Sequence, residues 1–306
     1  MTATRSLRRR SSRGSILADR AATVVMWATG VLVLVILGSI ILHFALAAWG
    51  VVSPSFILSD PSGDTLGGVM PILWNSIYML VLTMVVAVPV GILAGIYMSE
   101  YAGDNAVTST IRFAEESISS VPSIVVGLFG LILFVDDLHI GFSALGGALA
   151  LTFFNLPLMT RLSEQALRAV PQEERNASLA LGATKWQTIR HVVLPLAIPG
   201  LITGVILTAG RVFGEAAVLL FTSGVGTPPH YNFANFDLTN PASPWSPLRP
   251  ATTLSVYIWK LNSEGLGAFK NEIVDGSAAI LISMVLIFNL GARFIGRVLT
   301  RRLTAA

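Results

Sequence analysis

The chain has 306 residues, 53% of them hydrophobic and 12% charged, with a formal net charge of +3 and no cysteine. A soluble domain usually carries about 25% charge, so a single water-soluble globule is a poor fit. Disulfides and thiolate metal sites are excluded outright. The basic excess is gathered at the two ends and in one internal segment, which suits membrane topology better than a nucleic-acid surface.

The few charges are clustered. Residues 21–59, 65–99, 117–135, 138–160 and 276–292 carry none, and between 191 and 236 only Arg211 and Glu215 interrupt. About 20 apolar residues cross a bilayer. The pattern predicts an all-α integral membrane protein with six transmembrane helices, near 24–49, 71–99, 117–135, 141–160, 194–223 and 276–295.

In chain order, a tail over 1–22 comes first, with six arginines against one aspartate. The first apolar run is about twice the 7–15 residues of a signal-peptide core. It is read as a retained helix rather than one cleaved after Ala47, and 23–70 comprises that helix and an outer loop. The main transmembrane domain is expected over 71–296, followed by a second basic tail, 297–306. Arg161, Arg168, Arg175, Lys185 and Arg190 make the segment between the fourth and fifth spans basic as well. The positive-inside rule puts all three basic segments, and so both termini, in the cytoplasm. The outer loop over 224–275 then faces outward, His230 with it. Its first half, rich in Pro, Asn and Ser, reads as an irregular surface loop. Leu254, Tyr257, Ile258 and Leu261 predict a short amphipathic helix after it.

Within the spans, Gly91 and Gly95, Gly200 and Gly204, and Gly210 and Gly214 each form G-x-x-x-G, which lets helices approach closely in lipid. Between the fourth and fifth spans, Pro171 starts a helix with Gln172, Glu173 and Glu174 in its first turn, where carboxylates suit the helix dipole. Ala177, Ala180 and Leu181 give it a small apolar face, and Gly182 breaks it. The segment 171–192 therefore reads as a cytoplasmic docking element, or as a loop helix resting on headgroups.

The same segment carries a family pattern. Permease subunits of ABC importers have E-A-A-x-x-x-G, nine residues, then an aliphatic, one residue and L-P. Asn176-Ala177-Ser178, Gly182, Val192, Leu194 and Pro195 match at those intervals, with Asn and Ser replacing the first and third residues. The stretches "NSIYMLVLTMVVAVPVGILAGIYMSEYA", "VPSIVVGLFG", "LPLMTRLSEQALRAVP" and "GRVFGEAAVLLFTSG" resemble the phosphate-importer permeases, the A-type subunit (PstA) more than the C-type. The resemblance covers about 71–296. It implies a type-1 ABC permease core of the MetI-like kind, with Ala177, Gly182, Leu194 and Pro195 in a coupling helix. It also implies three partners: a C-type permease, a dimeric ATP-binding subunit holding ATP and magnesium, and an extracytoplasmic phosphate-binding protein. No cofactor, metal or catalytic residue is expected on this chain.

The sequence is consistent with a separate motor. A Walker A loop ends G-K-[ST], and the lysines Lys185, Lys260 and Lys270 each follow a residue other than glycine. Arg211 and Glu215 are the remaining puzzle, since a charge at the bilayer centre costs at least about 2.5–3.5 kcal/mol. On one continuous helix they lie one turn apart and can pair, with Thr208 and Thr222 extending their face. A guanidinium offers a planar fork that fits phosphate oxygens two at a time. Arg211, Glu215 and Thr208 are therefore expected on the substrate path. Arg161 is either a second anion contact or a positive-inside anchor. Molybdate, sulfate or phosphonate are alternative cargoes, and a secondary anion transporter is the rival class. A serine protease built on Ser143 and the nearby His139 lacks a second supporting motif.

Overall fold

The computed structural model describes residues 13–61, 67–103, 105–225, 231–264 and 269–304. His230 lies outside these. All regular structure among the described residues is helical. The first helix, α1 (Arg13–Ala47), is apolar on every side, and its most apolar stretch is unburied. A helix of that kind has lipid as its solvent. A short helix, α2 (Pro54–Leu58), is capped by the Ser53 hydroxyl and leads to α3 (Met70–Ile96), which a π turn extends through Tyr101.

The core is built on α6 (Ala144–Arg168). Its packing against α3 is set by small residues. A Cβ added at Gly91 would lie 2.5 Å from the Met159 side chain, and one at Gly95 would lie 2.5 Å from Ser163. On another flank runs α9 (Leu194–Gly214). There, a Cβ at Gly200 would come within 2.6 Å of Ala166, and one at Gly204 within 3.1 Å of Leu162. Two of the three G-x-x-x-G pairs thus bring helices onto α6. In the third, Gly210 lies beside Asn289 and Gly214 borders open space.

Two of the expected spans are broken. The third, placed over 117–135, is a bent pair: α4 (Ala106–Ser120) and α5 (Ser123–Gly130), the latter prolonged by a π turn to Asp137. The pair turns by 100°. Pro122 supplies no N–H and disfavours helical backbone at the residue before it. Val121 is extended, with φ −68° and ψ 132°. Five described helices are long and apolar enough to cross a membrane, and six if the bent pair is one span.

The fifth span, expected as one helix over 194–223, stops at Gly214. Glu215 is extended (φ −76°, ψ 124°), and a separate helix α10 (Ala217–Thr222) follows. This piece turns aside onto α5 and α6, where glycines make room. A Cβ at Gly127 would lie 2.8 Å from the Ala217 carbonyl oxygen, and one at Gly147 would lie 2.8 Å from Ser223. Before α9, the chain forms α7 (Gln172–Ala180) and α8 (Lys185–Thr188), and a π turn over Ile189–Val193 joins α8 to α9.

The loop over 231–253 is packed rather than merely superficial. Trp74 donates to the Pro244 carbonyl (3.0 Å), Tyr78 to that of Trp245 (2.6 Å) and Asn75 to that of Thr252 (3.0 Å). Polar composition here means local capping: Ser243 and Ser246 hydroxyls donate to the carbonyls of Asn235 and Leu238. The expected amphipathic helix is α11 (Leu254–Glu264), packed on α3 and on α12 (Lys270–Thr304).

Candidate substrate path and coupling surface

Arg211 lies in the last turn of α9, where a cation suits the helix dipole. Its depth follows from its neighbours. Gly210 faces Asn289, and the Phe213 ring packs on Phe288 with centroids 5.3 Å apart. Both partners belong to the uncharged stretch 276–292 of α12, so Arg211 sits at the level of apolar helix. Its guanidinium carbon is 4.0 Å from the centre of the Phe154 ring on α6. A partly desolvated cation over an aromatic face gains on the order of 0.5–2 kcal/mol. Among the described residues it makes no ion pair and no hydrogen bond.

The expected pairing of Arg211 with Glu215 is not formed. The break after Gly214 removes the helical geometry that would have stacked them. Glu215 is instead a joint. A side-chain oxygen accepts from the Val218 N–H at 3.3 Å, in the first turn of α10. Such N–H groups have no partner within their own helix. Its carbonyl accepts from the Ser255 hydroxyl of α11 at 2.8 Å.

The expected threonine face is also divided. Thr208 is fully buried, with its hydroxyl 3.6 Å from the Met159 sulfur. Thr222 belongs to α10 and donates to the Val218 carbonyl.

Arg161 lies on α6, two turns before its end. It is exposed and lines a cavity of about 360 Å³ with Arg112, Glu115, Glu116, Glu164 and Arg168. Glu164, buried on α6, pairs with Arg112 of α4 at 2.7 Å and with Arg168 at 3.0 Å.

The segment after α6 is exposed and firmly anchored. Pro171 precedes α7, and Glu173 and Glu174 occupy its first turn. Gly182 has φ +85°, a left-handed backbone that glycine adopts freely, and it stops the helix. Ala177 is exposed, as are Leu179, Leu181 and Trp186; Leu181 is 90% exposed. Leu194 and Pro195 open α9. Arg175, unremarked in the sequence beyond its charge, ties α7 down. It pairs with Glu100 on the π turn after α3 and donates to the Leu167 carbonyl at 2.7 Å. Lys185 lies 4.8 Å from the centre of the Tyr101 ring, and the Ser178 and Thr188 hydroxyls are 2.9 Å apart. No local pattern announces the Arg175–Glu100 and Lys185–Tyr101 contacts, because their partners are distant in sequence.

Arg249 is the other arginine that sequence reasoning passed over. It is fully buried in the loop before α11. Its guanidinium donates to the Tyr231 hydroxyl (2.6 Å) and the Pro244 carbonyl (2.9 Å), and lies 4.6 Å from the Tyr231 ring centre. Burial pulls its pKa below the ordinary arginine value, and Tyr231 and Tyr78 oppose that shift.

A bundle of membrane-length helices with an exposed, glycine-terminated helix between two of them defines a multi-span membrane protein with a protruding surface element. Its fold matches the inward-facing MetNI methionine ABC transporter, with TM-score 0.53 and 20% identity over 77% of this chain and 94% of that one. It also matches a bacterial alginate ABC transporter in complex with its alginate pentasaccharide-bound periplasmic protein, with TM-score 0.65 and 12% identity over 95% and 99%. The chain belongs to the binding-protein-dependent transport system inner membrane component family, whose model matches residues 87–305. Similar curated proteins include the probable ABC transporter permease protein YqgI of Bacillus subtilis, 43% identical over 94% of this chain and 98% of its own length. Another is the phosphate transport system permease protein PstA 1 of Mycobacterium tuberculosis, 36% identical over 77% and 73%. The chain is thus an ABC transporter permease subunit.

Proposed function

We propose that this chain is one of two permease halves of an ATP-driven importer of inorganic phosphate, and that Arg211 binds the passing anion. The observation that carries the reading is the unpaired guanidinium of Arg211, held on Phe154 at the level of apolar helix. It can offer a bidentate donor pair to phosphate oxygens. The similarity to phosphate permeases supports the cargo. Moving an anion into a cell that is negative inside costs about 2.3 kcal/mol per charge per 100 mV, so accumulation needs a driven pump.

In this proposal the partners are a C-type permease, a dimeric ATP-binding subunit that holds ATP and magnesium, and an extracytoplasmic phosphate-binding protein. The exposed surface around Ala177 and Gly182 meets the ATP-binding subunit, with Leu194 and Pro195 linking it to α9. Both termini are cytoplasmic, and 71–296 forms the translocating domain. Glu215 acts on the path as the joint that sets the end of α9, and Thr208 positions α9 against α6. Arg161 serves as an inner anchor and lines the cavity it shares with Arg112 and Glu164.

A different oxyanion is the second reading, since the relative matched over 94% of this chain is described without a cargo. Uptake of labelled phosphate into vesicles carrying the assembled transporter tests both. Phosphate accumulation that excess sulfate or molybdate leaves intact supports the first. Inhibition by one of those ions at stoichiometric levels supports the second.

A further inference from the structure

A groove of about 590 Å³ runs between α9 and α12. Its two walls differ in chemistry: α9 supplies Ile202, Ile206 and Leu207, and α12 supplies Arg293 and Arg297. The floor is set by a close crossing, since a Cβ added at Gly296 would lie 2.9 Å from Ile202. Thr203, on the groove wall, already donates its hydroxyl to the Pro199 carbonyl at 2.9 Å. The wall therefore asks for no polar partner.

Arg293 and Arg297 stand one turn apart on α12, both exposed, and neither makes an ion pair or hydrogen bond among the described residues. Arg293 is the first charge after the uncharged stretch 276–292. The cationic wall of the groove thus begins where the uncharged stretch of α12 ends.

We infer that this groove is a binding site for an anionic phospholipid. The two guanidiniums hold the phosphodiester headgroup, and one acyl chain lies along Ile202, Ile206 and Leu207. Neighbouring side chains at i and i+4 are about 5–6 Å apart at Cβ, a spacing that lets two forks share one phosphate. Basic pockets between helices at the cytoplasmic boundary suit such headgroups. Free phosphate matches the arginines but leaves the apolar half of the groove unused. A zwitterionic lipid fills the apolar half but brings its own cation to the arginines. The leaflet assigned to the lipid follows from the topology proposed above; the site itself does not depend on the cargo.

The test uses the full chain purified in its transporter assembly, in nanodiscs of phosphatidylcholine with a minor fraction of phosphatidylglycerol. Retained lipid is read by native mass spectrometry. The expected result is an enrichment of phosphatidylglycerol on the order of tenfold, abolished in Arg293→Gln/Arg297→Gln and reduced in Ile206→Trp. Equal retention in wild type and double variant overturns the proposal. So does displacement of the lipid by millimolar inorganic phosphate, which makes the site one for the free ion. A photo-crosslinking residue at Leu207, with both arginines intact, gives an independent reading in native membranes. An adduct of lipid mass supports the site, whereas an adduct to a second polypeptide assigns the groove to a permease interface and overturns it.

Discussion

Arg211 lies within an apolar run on the face of Phe154, with no ion pair among the described residues. Its residue neighbour Glu215 serves a different end, capping α10 and receiving the Ser255 hydroxyl. Glu215→Ala removes that cap, a change worth about 1 kcal/mol, and is expected to lower the melting temperature of the purified assembly by a few degrees. Glu215→Gln keeps an acceptor and is expected to melt near wild type; equal loss in both variants points to the charge instead. Arg249 is the stronger structural arginine. Arg249→Met leaves Tyr231 without its donor and the Pro244 carbonyl short of one, so a loss of about 2–4 kcal/mol is expected. Limited proteolysis within 231–253 checks it: faster cleavage is predicted, and an unchanged rate contradicts the role. Arg211 itself was legible from sequence, because two isolated charges stand out in 46 residues between 191 and 236. Its aromatic support was not, since Phe154 lies on another helix. Arg249 was hidden by composition: a lone arginine among Pro, Ser and Asn looks solvated.

At the scale of elements, glycine and proline decide where helices stop and how closely they pack. The positions of four membrane-length helices follow the uncharged gaps, because hydropathy reports composition along the chain. The breaks at Pro122 and Glu215 change direction rather than composition, so hydropathy is silent about them. Pro122 is visible as a breaker; the stop at Glu215 depends on Gly127 and Gly147, which make room for α10 from distant positions. The segment around α7 was readable for the opposite reason, since Pro171, the acidic first turn and Gly182 are local signals. Gly182→Val forces a left-handed residue that costs about 1–2 kcal/mol. Arg175→Ala removes the buried pair with Glu100 and frees α7 from the end of α3. Both variants are expected to insert normally and to pull down the ATP-binding subunit at several-fold lower yield. Wild-type yield in both contradicts the proposed docking role.

At the scale of the whole molecule, α3, α6, α9 and α12 form a packed unit, while α1 presents an unburied apolar surface. The proposed topology puts the outer loop and the α7 segment on opposite sides of the membrane. The chain has no cysteine, so single cysteines replacing Asp237 and Lys185, both exposed, report their sides cleanly. An impermeant maleimide is expected to label position 237 in intact cells and position 185 only after permeabilisation. The reverse pattern contradicts the orientation. The central claim is that Arg211 meets the transported anion, and transport by Arg211 variants tests it most directly. Vesicles carry the assembled transporter with equal amounts of wild type, Arg211→Lys or Arg211→Gln, and ATP-driven uptake of labelled phosphate is measured. The account predicts near-complete loss with Arg211→Gln and a partial defect with Arg211→Lys, which keeps the charge without the planar fork. Normal phosphate uptake by a fully assembled Arg211→Gln transporter would contradict it and place the anion path elsewhere.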